Sequence, residues 1–99
     1  MSKLVRDRIP EIIEKHGKKP VTHTADEEEY ARSLREKLKE EVEEFLKDRN
    51  EEELADILEV IHALSDFMKI HFDELEKLRK KKASERGGFS KRIILDEVK

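Results

Sequence analysis

The sequence predicts an all-α domain: an antiparallel bundle of about four helices with a short extended C-terminal arm, completed by oligomerisation. Three observations carry this. Apolar residues recur at three- and four-residue spacing through two long central segments. Residues able to cap a helix precede the helical segments, and Gly17 and the Gly87–Gly88 pair follow two of them. A continuous apolar run outside this rhythm occurs only near the end, at Ile93, Ile94 and Leu95.

The first helix is short. Asp7 is placed to cap it, Pro10 is tolerated in its opening turn, and Gly17 can take the left-handed position at its end. Lys18 to His23 reads as a loop with a brief extended piece around Val21. Thr24 and Glu27 form a capping box for a second helix, from about Ala25 to about Lys47, with Leu34, Leu38, Val42 and Phe45 as its buried stripe. The polar tetrad Lys47, Asp48, Arg49, Asn50 marks a tight turn, and Asn50 with Glu53 repeats the cap spacing. The third helix, from about Glu51 to about Ile70, carries Leu54, Ile57, Leu58, Ile61, Leu64 and Met68, with Val60 and Phe67 widening the arc to two-sided contact. Asp73 starts a fourth helix that runs through Arg79 to Lys82 and ends near Gly87. Phe89 to Leu95 reads as the extended arm, packed on the bundle or on a neighbour.

Composition narrows the class. With 35% hydrophobic and 47% charged residues the chain approaches a disordered composition, but its net charge of −3 and its helical periodicity favour a folded single domain over residues 1–99. So thin an apolar supply makes a lone chain marginal, and a homodimer or higher homo-oligomer is expected. The chain has no cysteine, which excludes disulfides and thiolate chemistry and leaves oxygen or imidazole for any metal. No apolar run reaches the ~18 residues of a membrane span, and the N-terminus lacks the apolar core of a signal peptide, so a cytoplasmic location without membrane contact is expected.

The acidic residues do not all belong on solvated faces. At about 100° per residue, Glu41 falls about 60° from Leu38, on the edge of the buried stripe, and Glu44 follows on the same side. Glu40 and Glu43 rotate to the opposite face. On the third helix Glu53 lies between the directions of Leu64 and Val60, and Asp56 follows just beyond Phe67, whereas Glu59 and Asp66 fall on the polar side. Capping with Asn50 accounts for Glu53 but not for Asp56. A hairpin centred between Asp48 and Arg49 sets Glu41 opposite Asp56 and Glu44 opposite Glu53. Four acids in one patch repel and lose hydration, which calls for a compensating charge. Oxygen ligands without thiolates favour Mg²⁺ or Mn²⁺. Lys37, on the side of Glu44, is the competing source of charge, sufficient for one carboxylate but not four.

The run formed by Glu40, Glu41 and Glu44, followed by Glu53 and Asp56, resembles the acidic motifs of the MazG-like all-α nucleotide pyrophosphohydrolases, a superfamily that includes phosphoribosyl-ATP pyrophosphohydrolase. The opening Lys3 to Ile13 and the late Glu85 to Phe89 look like a predicted house-cleaning branch, so the resemblance covers nearly the whole chain. It implies cleavage of a nucleoside triphosphate between the α- and β-phosphates, giving a monophosphate and pyrophosphate, with Mg²⁺ held by Glu41, Glu44, Glu53 and Asp56. The link between the two acidic motifs is short for MazG-like proteins and closer to the phosphoribosyl-ATP branch, so phosphoribosyl-ATP stands beside noncanonical or surplus nucleotides as substrate.

Such hydrolysis needs charge neutralisation and an aligned water rather than a side-chain nucleophile, and Glu41 and Glu44 are the candidates to orient that water. Phosphate charge calls for basic residues: Arg6, Lys77, Lys81 and Arg86 are the first candidates, with Lys3, Arg8 and Lys91 behind them. The four histidines show no paired ligand spacing. A different class of function, a non-enzymatic helical dimerisation module, rests on the basic run Arg79 to Lys82; overall acidity and few aromatics argue against nucleic acid as its partner.

Overall fold

The computed structural model describes residues 2–99, which form four helices and, among the described residues, no strand. The all-α expectation holds; several of the expected boundaries do not.

Helix α1 (Ile9–Lys15) follows a turn closed by Ile9 N–H donating to the Arg6 carbonyl at 3.1 Å. Arg8 is already near-helical there, at φ −92° and ψ −1°, so it takes the position before the helix and Asp7 stands one residue too early to cap it. Pro10 sits in the opening turn as expected. At the other end Gly17 has φ 79°, and Lys18 N–H reaches back to the Ile13 carbonyl at 3.3 Å, the left-handed closure that glycine permits.

Helix α2 (Glu27–Asp48) starts two residues later than the Thr24 box predicts. Asp26 is its cap, accepting from Glu29 N–H at 2.8 Å. Asp26 and Glu29 have the same three-residue spacing as Thr24 and Glu27, and the Asp26 carboxylate adds favourable charge at the positive helix end. Glu29 also meets His23 Nε2 at 2.9 Å, which ties the incoming loop to this turn. The extended piece around Val21 is not a strand, and Val21 is exposed.

The link to α3 (Glu51–Phe67) is two residues long. Arg49 turns the chain in the left-handed region (φ 52°), its N–H donating to the Phe45 carbonyl at 2.7 Å, and extended Asn50 caps α3 by accepting from Glu53 N–H at 3.0 Å. Asn50→Ala is expected to cost about 1 kcal/mol in chemical denaturation, the usual cost of a lost cap, while Asn50→Gly costs only a few tenths. Helix α3 stops three residues short of the predicted Ile70. Lys69 enters the left-handed region (φ 60°) and Ile70 N–H closes onto the Ser65 carbonyl at 2.9 Å. Buried Ser65 completes that knot through its hydroxyl, which donates to the Ile70 carbonyl.

Helix α4 (Phe72–Arg86) begins one residue before Asp73 and ends at Gly87 (φ 84°). Its first residue stacks on α3: the Phe72 and His62 rings lie 3.7 Å apart and nearly parallel.

Packing is unequal. Helices α2 and α3 form the antiparallel hairpin, α4 meets α3 alone, and α1 packs on no other helix. The molecule extends 60 × 31 × 23 Å with a radius of gyration of 17.8 Å, against about 13 Å for a compact chain of this length. The four helices therefore do not close into a bundle within one chain. Leu34 and Val60 are the buried apolar residues at the hairpin centre, flanked by an edge-to-face contact of Tyr30 with Phe67. Val42, Leu54, Leu58 and Met68, expected in buried stripes, are exposed because a single hairpin partner covers only one flank of each helix. The C-terminal arm does not pack on its own chain: Phe89, Ile93, Ile94 and Leu95 are each at least 75% exposed. No helix among the described residues is long and apolar enough to cross a membrane.

Candidate metal centre

The hairpin register brings the predicted acids together as two trios, not as the single patch of four that the register predicts. One carboxylate oxygen from each of Glu41, Glu53 and Asp56 lies within 4.8 Å of the others, and Glu44, Asp48 and Glu53 form a second trio at the same spacing. Glu53 belongs to both. Glu41 and Glu44 come from one side of α2, as their rotation requires, and Glu53 and Asp56 from the first two turns of α3, placed there by the Asn50 cap. Asp48 was assigned to the turn; its spacing of four residues from Glu44 was the signal that it shares that side.

The carboxylates differ in what balances them. Asp56 accepts from the Arg6 guanidinium at 2.7 Å, which carries the N-terminal segment onto the hairpin. Glu41, only 8% exposed, is 3.3 Å from the Lys37 ammonium. Lys37 also donates to Glu40 at 3.3 Å, and Lys3 reaches Glu40 at 3.5 Å. Glu40 is thus half-buried and paired instead of facing away, because the N-terminal segment crosses the face to which it rotates. Burial works against the charge on Lys37, but its hydrogen bonds to Glu41 and Glu40 outweigh this and hold the ammonium above its usual range.

Glu53 has no such partner. Its Oε2 is buried without a hydrogen bond among the described residues. Burial, followed by the charges of Glu44, Asp56, Asp48 and Glu41, pushes its carboxyl above the ordinary glutamate range. A raised native pKa means that the folded state holds the proton more tightly than the unfolded state. This contribution stabilises the fold below the ordinary range and is lost as pH rises through the raised value. Glu40 has the opposite sign: burial acts upward on it, but Lys37 and Lys3 pull its carboxyl below the usual range. The comparison that isolates Glu53 is therefore with Glu53→Gln. Its stability advantage over the parent is expected to be absent at low pH, to grow through the window above the ordinary glutamate range, and then to level off, as measured by urea unfolding at a series of pH values.

Next to Glu41 and Asp56 lies a cleft of about 420 Å³. Tyr30, Leu34 and Val60 give it an apolar wall, Lys37, Glu41 and Asp56 a charged one, and Leu4, Val5 and Arg6 a rim. Of the predicted phosphate-binding residues Arg6 and Arg8 line it. Lys77, Lys81 and Arg86 lie exposed on α4 and line no part of it. The N-terminal rim was legible only as a family signature, because nothing in local periodicity says where an irregular segment folds back.

The donor set fits a hard divalent cation. Opposite oxygens of an octahedral Mg²⁺ stand roughly 4 Å apart, a separation that each trio can span, and the partnerless Glu53 oxygen is a donor atom with no competing hydrogen bond.

Comparison with known proteins adds one relative. A protein of Mycolicibacterium smegmatis, described only as uncharacterized, is 52% identical over 45 residues, a match that covers 46% of this chain and 46% of that protein. The aligned region thus spans about half the length of each. No family model matches the chain, and no solved structure matches it.

Proposed function

We propose that this protein is a Mg²⁺-dependent nucleoside triphosphate pyrophosphohydrolase, with Mn²⁺ able to substitute, that cleaves the α–β phosphoanhydride to give a nucleoside monophosphate and pyrophosphate. The observation that carries the reading is the buried, partnerless oxygen of Glu53 at the junction of two carboxylate trios. Negative charge concentrated in this way, with Arg6 and Lys37 as its cationic neighbours, supports a site built for a further positive ion. Glu41, Glu53 and Asp56 would hold one ion, and Glu44 and Asp48 lie where Glu53 could share a second. When bound, Mg²⁺ supplies charge neutralisation at the phosphates and a more acidic water.

The chain's own residues supply the rest. Exposed Glu44 is free to accept a proton from a water aligned with the anhydride, while Glu41 is fixed by Lys37. The apolar wall of Tyr30, Leu34 and Val60 suits a base or ribose, with the phosphates directed to Arg6 and the carboxylates. Noncanonical or surplus nucleotides are the first substrate class and phosphoribosyl-ATP the second; the resemblance of the acidic and flanking motifs supports both.

A second copy of the chain belongs to this reading. The accessible surface is 9494 Å², against about 5,900 Å² for a compact monomer of 11.8 kDa. Val42 and Leu46 on α2, with Leu54 and Leu58 on α3, contribute an exposed apolar face that a homodimer or larger homo-oligomer would cover. Lys77, Lys81 and Arg86 enter as phosphate ligands through such a neighbour.

The test is pyrophosphate release from a panel of canonical and modified nucleoside triphosphates and phosphoribosyl-ATP, with Mg²⁺ and with chelator. Metal-dependent release from at least one is expected. No release from any, with no cation binding, would leave the non-enzymatic dimerisation module as the better reading.

A further inference from the structure

Arg6 occupies an unusual position for a residue meant to bind phosphate. It lies in an irregular segment before α1, on the rim of the cleft, and its guanidinium is already engaged with Asp56, one of the carboxylates offered to the cation. The bond is a single N–H to one carboxylate oxygen, and both side chains are substantially exposed, 56% for Arg6 and 39% for Asp56. An exposed single-contact pair is weak, and it uses one of five donors on a group shaped to bind a phosphate through two. The segment has few other polar anchors: α1 packs on no other helix, Lys3 makes only a long contact to Glu40, and half-buried Leu4 and Val5 rest at the cleft rim.

We propose that Arg6 is a hand-over residue: it neutralises Asp56 until that carboxylate ligates a divalent cation, and then moves to the phosphate chain of the nucleotide, drawing residues 3–8 over the cleft. The inference rests on the cation-site reading above. Charge drives both halves. A guanidinium beside a carboxylate that also ligates a divalent ion is repelled by that ion, and the nearest compensating charge is then the polyphosphate bound to the same ion. Arg6 therefore opposes the cation when it binds alone and favours the nucleotide once the cation is present. These opposite signs separate hand-over from a fixed structural pair and from a plain phosphate ligand.

The experiment measures two affinities by calorimetry in the parent, Arg6→Gln and Arg6→Lys: Mn²⁺ alone, and α,β-methylene-ATP, which resists cleavage at the α–β position, in saturating Mn²⁺. Arg6→Gln is expected to tighten Mn²⁺ about threefold, the scale of losing one exposed competing pair. It is expected to weaken the analogue about tenfold, the scale of a lost charge-assisted contact. Arg6→Lys should lie near the parent for Mn²⁺ and between the other two for the analogue. Mn²⁺ affinity unchanged in Arg6→Gln, or both affinities moving the same way, overturns the hand-over while leaving the cation site standing. No Mn²⁺ binding in the parent overturns both. The exposed position of Arg6 outside any helix keeps these variants folded, which circular dichroism checks.

Discussion

Glu53→Gln is expected to lower Mg²⁺-dependent pyrophosphate release by at least about a hundredfold, the scale of removing a group that positions a catalytic metal, and at the same time to raise the thermal midpoint of the protein without metal. Loss of activity usually accompanies loss of structure; here the two part because Glu53 is the carboxylate that nothing balances. Its Oε2 is buried without a partner, and four other acids push its carboxyl upward. A neutral amide of the same shape relieves that repulsion. Glu41→Gln and Asp56→Asn should match the activity loss without the stability gain. Each has its own cation, Lys37 at 3.3 Å and Arg6 at 2.7 Å, so removing the acid also loses an ion pair that offsets the relieved repulsion. Thermal unfolding of the three variants beside a pyrophosphate assay checks the pattern. A stability gain shared by all three, or absent from Glu53→Gln, would count against the charge balance described.

The second large effect is at Leu34. It is 1% exposed, lies where α2 meets α3, and walls the cleft next to Glu41. Leu34→Ala is expected to cost about 2–5 kcal/mol, a large share of a typical domain stability of about 5–15 kcal/mol. In a chain whose buried apolar residues are few, that loss should unfold much of the population. Urea denaturation measures it directly. Leu58→Ala, at a position 49% exposed in one chain, should cost well under half as much in dilute protein and more as concentration rises, if a second copy covers that face. A cost at Leu58 independent of concentration would argue against burial there by another copy.

The contrast between Leu34 and Leu58 also shows how far periodicity carries. The apolar arc of α3 and the stripe of α2 were legible as helical faces, and the polar tetrad with Asn50 located the hairpin turn. What periodicity omits is what lies against each face: Val42, Leu54 and Leu58 share the rhythm of buried residues but are exposed in a single chain. Boundaries went wrong where two signals of the same kind competed. Asp26 and Glu29 repeat the spacing of Thr24 and Glu27, and local sequence does not rank them; the observed cap carries the charge. The C-terminus of α3 turned on left-handed Lys69, a residue with no strong preference for that conformation, so its sequence gave no warning.

The acid cluster was the most legible part of the site, because helical rotation and hairpin register are regular enough to compute by hand. Glu41, Glu53 and Asp56 come together, while Glu44 meets Glu53 in a second trio with Asp48 instead of completing one patch of four. The cations were harder to place. Arg6, fifty positions from Asp56 along the chain, reaches it from an irregular segment whose path no local rule predicts. The half-burial of Glu40 on its own face was missed for the same reason, since its partner Lys3 belongs to that segment.

The central claim, that the carboxylates around Glu53 hold a divalent cation, is tested most directly by titrating Mn²⁺ into the protein and following the paramagnetic resonance of the free ion. The account predicts saturable uptake of at least one ion per chain, weakened at least tenfold in Glu53→Gln, with a proton released on binding in the pH range where Glu53 remains partly protonated. Free-ion signal that rises in proportion to added Mn²⁺ from the first addition, or uptake equal in the parent and Glu53→Gln, would contradict it.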